Sequence, residues 1–254
     1  MPVRYYRLRG ALRPIPGDQV NSSDVWVASA DVYAKRANST PPPYDVVNEY
    51  VCGELAKLIR LPVPPSFIGT RIRDRQLYFC SPSFNLSGEN SAPVDCSLVA
   101  SREPSTVSGV LLFDIWVANT DRHEENLSFR RQGVGAGLDI FDHSHALFRE
   151  ADSLEIHLGR LGITKERPHH NRHCLLDHIA TDVHFDKWLN RIQAVGDDAL
   201  QEILAEAVEL GLPRLLSDRG LEFLRSRRDT LRDLVKANRH EFRGIAQWSL
   251  EWNA

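Results

Sequence analysis

The segment Asn119-Thr120-Asp121-Arg122-His123-Glu124-Glu125-Asn126 brings three carboxylates, two carboxamides, an arginine and an imidazole into one short stretch. Asp121 and Asn126 stand five positions apart. Two β-prone runs follow, Leu127-Ser128-Phe129 and Leu138-Asp139-Ile140-Phe141, on either side of Gly133-Val134-Gly135-Ala136-Gly137. That pattern predicts a hairpin. The hairpin returns the chain to its starting point and delivers Asp142, in Phe141-Asp142-His143, beside Asn126. Oxygen donors on the two ends of one hairpin can converge on one hard cation.

Phosphotransfer from ATP calls for these groups. It needs a carboxylate beside the attacking hydroxyl and amide or carboxylate oxygens on Mg²⁺, which protein kinases place as Asp and Asn five positions apart on one loop, with a second metal-binding Asp beyond. A lone D-x-x-x-x-N arises often by chance, and each of these residues also suits a helix cap or an Asx turn. The hairpin and the Asp that ends it make the pattern specific.

The other half of such a site is a phosphate-holding Lys on a strand, paired with a Glu on the next helix. Lys35 ends the strand-like Val32-Tyr33-Ala34-Lys35, and apolar residues at 47, 50, 51, 55, 58 and 59 predict a helix over Val47–Ile59 with Asp45 at its N-cap. Glu49 and Glu54 both lie on that helix, about 140° apart around it, so only one can face Lys35. Glu49 is assigned the role. A phosphate-cradling loop should precede the strand. Pro16-Gly17-Asp18-Gln19-Val20-Asn21-Ser22-Ser23 has no GxGxxG, but its backbone, Gly17, Asn21 and the hydroxyls of Ser22 and Ser23 can meet phosphate oxygens; an ordinary hairpin loop is the alternative.

Composition sets the frame around these motifs. The chain has 254 residues, 42% hydrophobic and 26% charged, which suits a globular fold of one large domain or two small lobes. No apolar run approaches a bilayer span and the first residues contain no apolar leader, so no membrane span or secretory address is expected. A net charge of −3 gives no strong nucleic-acid signal. The acidity is local: residues 101–160 carry 6 basic against 10 acidic groups, where divalent cations would be held. Cysteines at 52, 80, 96 and 174 form neither a CxxC pair nor a disulfide framework, which fits a reducing cytoplasm.

Val25–Ala28 and Val32–Lys35 predict a hairpin across Ser29-Ala30-Asp31, and Ser66–Ile72 with Gln76–Cys80 predict a second strand pair. Leu61-Pro62-Val63-Pro64-Pro65 should stop the first helix. Pro104 opens a helix expected to end near Asn119, and amphipathic helices follow at 185–193, 198–210 and 218–240. His169, His170, His173, Cys174 and His178 fit no four-ligand zinc spacing and read as a surface or loop cluster. The run Arg225, Arg227, Arg228, Arg232, Lys236, Arg239, interleaved with acids, reads as a solvated helix face.

Asn119–Leu127 followed by Phe141-Asp142-His143-Ser144-His145-Ala146-Leu147 resembles the N-x-D-R-H-x-x-N and (I/F)-D-H-x-x-A signatures of the HipA-like kinases, and more distantly those of phosphoinositide kinases. Asn48-Glu49-Tyr50 and the Leu61-Pro62-Val63-Pro64 turn resemble that family too, and the likeness covers about residues 10–148. The resemblance implies an α+β, two-lobed protein-kinase-like fold, with a strand-rich N-lobe over 1–84 and a mainly helical C-lobe over 85–254. It implies ATP and Mg²⁺ as cofactors, Asp121 as catalytic base, Asn126 and Asp142 as metal ligands, Lys35 on the phosphates and Glu49 holding Lys35. His123 occupies a position that assists transfer in phosphoinositide kinases. The implied acceptor is a hydroxyl, on a protein serine or threonine or on a lipid or small molecule; a non-catalytic nucleotide-binding module is the reading from another class. An antitoxin-like partner protein and phosphorylation of the Ser22/Ser23 loop are further implications. By this resemblance the chain is expected to lack the additional amino-terminal subdomain of the full-length HipA toxins, and it contains neither DFG nor APE.

Overall fold

The computed structural model describes residues 8–14, 26–36, 44–71, 73, 76–83, 93–130, 137–149, 153–163 and 172–253. Strands β1 (Leu8–Pro14) and β2 (Trp26–Ala30) form an antiparallel pair with Leu8 opposite Ala30. Strand β3 (Val32–Arg36) follows β2 after Asp31 alone. The hairpin expected across Ser29-Ala30-Asp31 is therefore absent: Ser29 and Ala30 belong to β2, and the single residue left cannot reverse the chain. The chain instead runs on and changes partners.

Helix α1 (Asp45–Leu58) comes next, then β4 (Phe67–Thr70) and β5 (Leu77–Pro82). The second sheet is antiparallel with order β3-β5-β4, and it sets Lys35 opposite Phe79. The β4–β5 pair is the one its sequence predicts. Val47, Val51 and Leu55 of α1, and Ile59 at its C-cap, are buried, as their spacing requires. Tyr44 takes the N-cap position, one residue before the expected Asp45. Asp45 lies in the first turn, where its charge still favours the helix's positive end. At the other end Arg60 turns left-handed (φ 62°) and the Leu61 N–H closes back onto Ala56 O at 2.9 Å, before the proline-rich turn.

The second lobe is mainly helical. Asp95 caps α2 (Cys96–Arg102) by accepting from the Leu98 N–H, and Pro104 opens α3 (Pro104–Trp116). Every residue of α3 from Val107 to Trp116 is buried, so the helix runs through the middle of the lobe with no solvent face. It stops at Trp116 rather than near Asn119. Ala118 turns left-handed (φ 50°), and the Asn119 N–H returns to Asp114 O at 2.8 Å. Strands β6 (Leu127–Arg130) and β7 (Gly137–Ile140) form the expected hairpin, Leu127 opposite Ile140.

Helices α4 (Ser153–Leu158), α5 (Phe185–Gln193), α6 (Asp197–Glu209), α7 (Arg214–Ala237) and α8 (Leu250–Asn253) complete the lobe. α3 packs on α5 so closely that a Cβ on Gly109 would stand 2.3 Å from the Trp188 ring. α6 packs against both α7 and α1, which ties the two lobes together. One basic residue of α7 departs from the solvated-face reading. Arg227 falls on the core stripe with Phe223, Leu224 and Leu231, fully buried, its Nη1 on Arg160 O at 2.6 Å and its pKa lowered by burial to about 10. Arg225, Arg228 and Arg232 do face outward, onto Asp197, Asp229 and Asp186.

Candidate active site

A cleft of about 590 Å³ is lined by Lys35, Glu49, Val63, Phe79, Ile140 and Asp142 among others. Lys35 Nζ is its polar centre. It lies 2.6 Å from Glu49 Oε1 and 2.7 Å from Asp142 Oδ1, so one ammonium joins β3, α1 and the segment two residues beyond β7. Burial opposes the charge on Lys35, but the two carboxylates outweigh it and raise its pKa. Burial likewise opposes ionisation of Glu49, yet a hydrogen bond from His143 and the charge of Lys35 hold its pKa down. Glu54 does not compete, because its carboxylate pairs with Lys57 at 2.6 Å one turn along the helix.

Asp142 has left-handed backbone (φ 59°), strained for a residue with a Cβ. Ser144 braces it, with Oγ 2.6 Å and N 3.4 Å from Oδ1. Against burial, Lys35 and Ser144 together hold the Asp142 carboxyl well below the ordinary range. All these contacts fall on Oδ1 and leave Oδ2 available. Asn126 is similar: its Nδ2 donates to Asp121 O at 2.8 Å, and its Oδ1 is left over. Two hard oxygens at the two ends of one hairpin fit the donor set that Mg²⁺ takes, a few protein oxygens supplemented by water and phosphate. Among the described residues no group of three or more His, Cys, Asp or Glu forms a cage that would hold a metal by itself.

The hairpin ends are fixed by a buried cluster, and three of its members, Asp114, Asn119 and Arg122, have no role in the sequence reading. Arg122 sends Nη1 to Asn126 O (3.1 Å) and to Phe141 O (2.6 Å), clamping the two ends together. The rest of its guanidinium binds Asp114 side-on, Nε to Oδ2 at 2.8 Å and Nη2 to Oδ1 at 3.1 Å. Asn119 Nδ2 donates to Asp114 Oδ1 as well, at 2.9 Å. Asp114 is fully buried; against the burial, Arg122 and His173 hold its carboxyl well below the usual range. One signal of its role is in the sequence: it is the lone charged residue of the helix, set in the otherwise apolar run 109–116.

His173 corrects the surface-cluster reading. Its side chain is fully buried; Nε2 lies 2.9 Å from Asp114 Oδ2, while Nδ1 accepts from the Leu175 N–H at 3.2 Å. An accepting Nδ1 leaves Nε2 to carry the proton, so the ring is a neutral donor, and burial lowers its pKa in agreement. His178 is exposed, and His169 and His170 lie outside the described residues.

Asp121 is largely covered, its Oδ2 3.4 Å from His145 Nε2. His123 is the more open of the motif's two central residues, and Glu125 at 4.0 Å is its side chain's partner among the described residues. Gly17, Asn21, Ser22 and Ser23, the expected phosphate loop, lie outside the described residues. The structure thus brings Lys35, Glu49 and Asp142 into direct contact and sets Asn126 beside Asp121.

Two solved structures align with this one. The Helicobacter pylori proinflammatory kinase CtkA aligns with a TM-score of 0.54 at 12% identity, covering 83% of this chain and 90% of that one. HipA of Shewanella oneidensis, solved with HipB and operator DNA, aligns with a TM-score of 0.34 at 14% identity, over 95% of this chain and 61% of that one. No curated protein matches the chain. The family model for HipA-like kinases matches residues 29–203, a span holding the cleft lysine, its glutamate and both ends of the hairpin. With more than half of its length under that one model, the chain belongs to the HipA-like kinase family.

Proposed function

We propose that the protein moves the γ-phosphoryl group of Mg-bound ATP to a hydroxyl, on a serine or threonine of another protein. The observation carrying this reading is Lys35 Nζ bridging Glu49 and Asp142 in the wall of the cleft. An ammonium held by two carboxylates, one of them with an oxygen to spare, is preset to exchange part of its pairing for phosphate oxygens. Asn126 Oδ1 and Asp142 Oδ2 would hold Mg²⁺, which when bound neutralises charge on the β- and γ-phosphates. Glu49 keeps Lys35 aimed, and Arg122 keeps the hairpin ends together. Asp121 orients the acceptor hydroxyl and takes its proton. His123, whose side chain is partly exposed, would meet the acceptor. Expected further members of the reading are an amino-terminal loop around Ser22 and Ser23 that covers the phosphates, a cytoplasmic setting and, through family membership, a partner protein of the antitoxin kind. Among the described residues no helix is long and apolar enough to cross a membrane.

The test is transfer of labelled γ-phosphate with Mg²⁺, offering a denatured protein mixture, free nucleosides and small alcohols, and phosphoinositide vesicles as parallel acceptors. Label on serine or threonine, lost with Asp121→Asn, supports the reading. Label on lipid or small molecules alone makes this a different kinase. ATP binding without any turnover makes it a binding module.

A further inference from the structure

Asn48 lies beside Glu49 on α1, and its side chain is almost completely buried. Its carboxamide reaches across to the segment after β7. Nδ2 donates to Ser144 O at 2.9 Å, and Oδ1 accepts from the Phe148 N–H at 3.1 Å. A single side chain thus satisfies both a carbonyl and an amide of a stretch that no strand or helix supports.

That stretch needs holding. Asp142 (φ 59°) and Leu147 (φ 34°) are both left-handed without being glycine, and such conformations persist only where the surroundings fix them. Ser144 sits between Asp142, which meets Lys35, and His145, whose Nε2 is 3.4 Å from Asp121 Oδ2. The far end is tied by the Leu147 N–H to Val117 O at 3.0 Å. No smaller or apolar group at position 48 could make both bonds: a leucine of the same shape has neither, and an aspartate lacks the donor.

We propose that Asn48 is a positioning residue of the phosphotransfer site, locking the segment Asp142–Phe148 onto α1 so that Glu49 and Asp142 reach Lys35 as one unit. The proposal rests on the phosphotransferase reading given above. It goes beyond that reading by assigning a function to an asparagine that touches neither nucleotide phosphates nor acceptor. The helix that aims the lysine also aims the metal-binding aspartate, and Asn48 is the link.

The experiment combines amide hydrogen exchange with metal-dependent nucleotide binding in wild type and Asn48→Ala. In the variant, peptides over 142–148 should exchange about tenfold faster or more, with α1 and α3 keeping their protection. The Mg²⁺ concentration needed to bind a fluorescent, non-hydrolysable ATP analogue should rise about 10–100-fold. Turnover should lose kcat with little change in the KM for acceptor. Unchanged exchange at 142–148, or loosening spread evenly over the chain, overturns the proposal. Should Asn48→Ala not fold, wild type still decides: the Phe148 amide must exchange as slowly as those in the middle of α1, and exchange at an open-loop rate overturns the anchor. Asn48→Asp, which retains only the acceptor, should fall between wild type and Asn48→Ala in Mg²⁺ requirement; equality with wild type overturns the two-bond account. A wild type that transfers no phosphate, while 142–148 still loosens in the variant, rejects the phosphotransferase reading and leaves the anchor standing.

Discussion

Arg122 holds Asp114 through two parallel N–H···O contacts of 2.8 and 3.1 Å, both side chains completely buried. The same guanidinium reaches the carbonyls of Asn126 and Phe141, so the hairpin ends rest on a charge pair rooted in α3. Removing one partner strands the other charge in the core. Asp114→Ala should destabilise the protein by about 3–5 kcal/mol, a loss visible in the urea midpoint. A midpoint within about 0.5 kcal/mol of wild type would show that the pair is not what fixes the loop.

The pH dependence of stability follows from the same cluster. His173 is neutral in the fold with its pKa lowered from 6.5, so below about pH 6.5 the unfolded chain takes up a proton that the native state refuses. Its contribution is therefore present above pH 6.5 and is lost as pH falls. Asp114, lowered from 3.8, acts in the same direction further down: its contribution is full above about pH 3.8 and fades as pH drops through the folded value. Urea midpoints from pH 8 to 5 should fall for wild type and fall less steeply for His173→Gln, which is less stable at pH 8. Parallel curves would count against a buried neutral imidazole.

On the proposed reading, Asp121→Asn should keep the fold and ATP binding while kcat drops about 10²–10⁴-fold, because it would remove the proton acceptor without changing shape. Near-normal turnover of this variant would remove Asp121 from the catalytic role.

Lys35 and Glu49 should behave as one unit. Lys35→Ala and Glu49→Ala should each lower kcat/KM strongly, and the double variant should lose little more than the worse single one. Glu54→Ala, whose carboxylate meets Lys57, should be close to wild type. Additive losses from the first two would mean that Glu49 acts on something other than Lys35.

Gly109 offers a test of packing away from the cleft. A methyl there meets the Trp188 ring, which is itself held by its Nε1–H on Ser105 O at 2.6 Å. Gly109→Ala should destabilise by about 1–3 kcal/mol through overpacking, despite alanine's better helix propensity, while Mg-ATP affinity is retained. A stabilised variant would show that α5 can move aside.

Local elements and chemistry-bearing motifs are legible in the chain alone, because both are written in short-range spacing. Apolar residues at 47, 51, 55 and 59 set the face of α1, the glycine-rich turn between Leu127–Phe129 and Leu138–Phe141 set the hairpin, and Asp121, Asn126 and Asp142 could be read at its ends. Helix geometry shows only that Glu49 and Glu54 cannot both face Lys35, and Glu49 is the residue that meets it. Which strand each run pairs with, and which polar groups are buried, depends on the folded chain. β2 and β3 look like two arms of a hairpin until their partners, β1 and β5, are in place. Asn48, Arg122, His173 and Arg227 look like ordinary surface-capable residues in the chain, and none has its deciding partner within a helical turn along the sequence. Burial and long-range hydrogen bonding depend on what the whole chain brings to a point, and a buried polar group is tolerated only where those distant partners complete it.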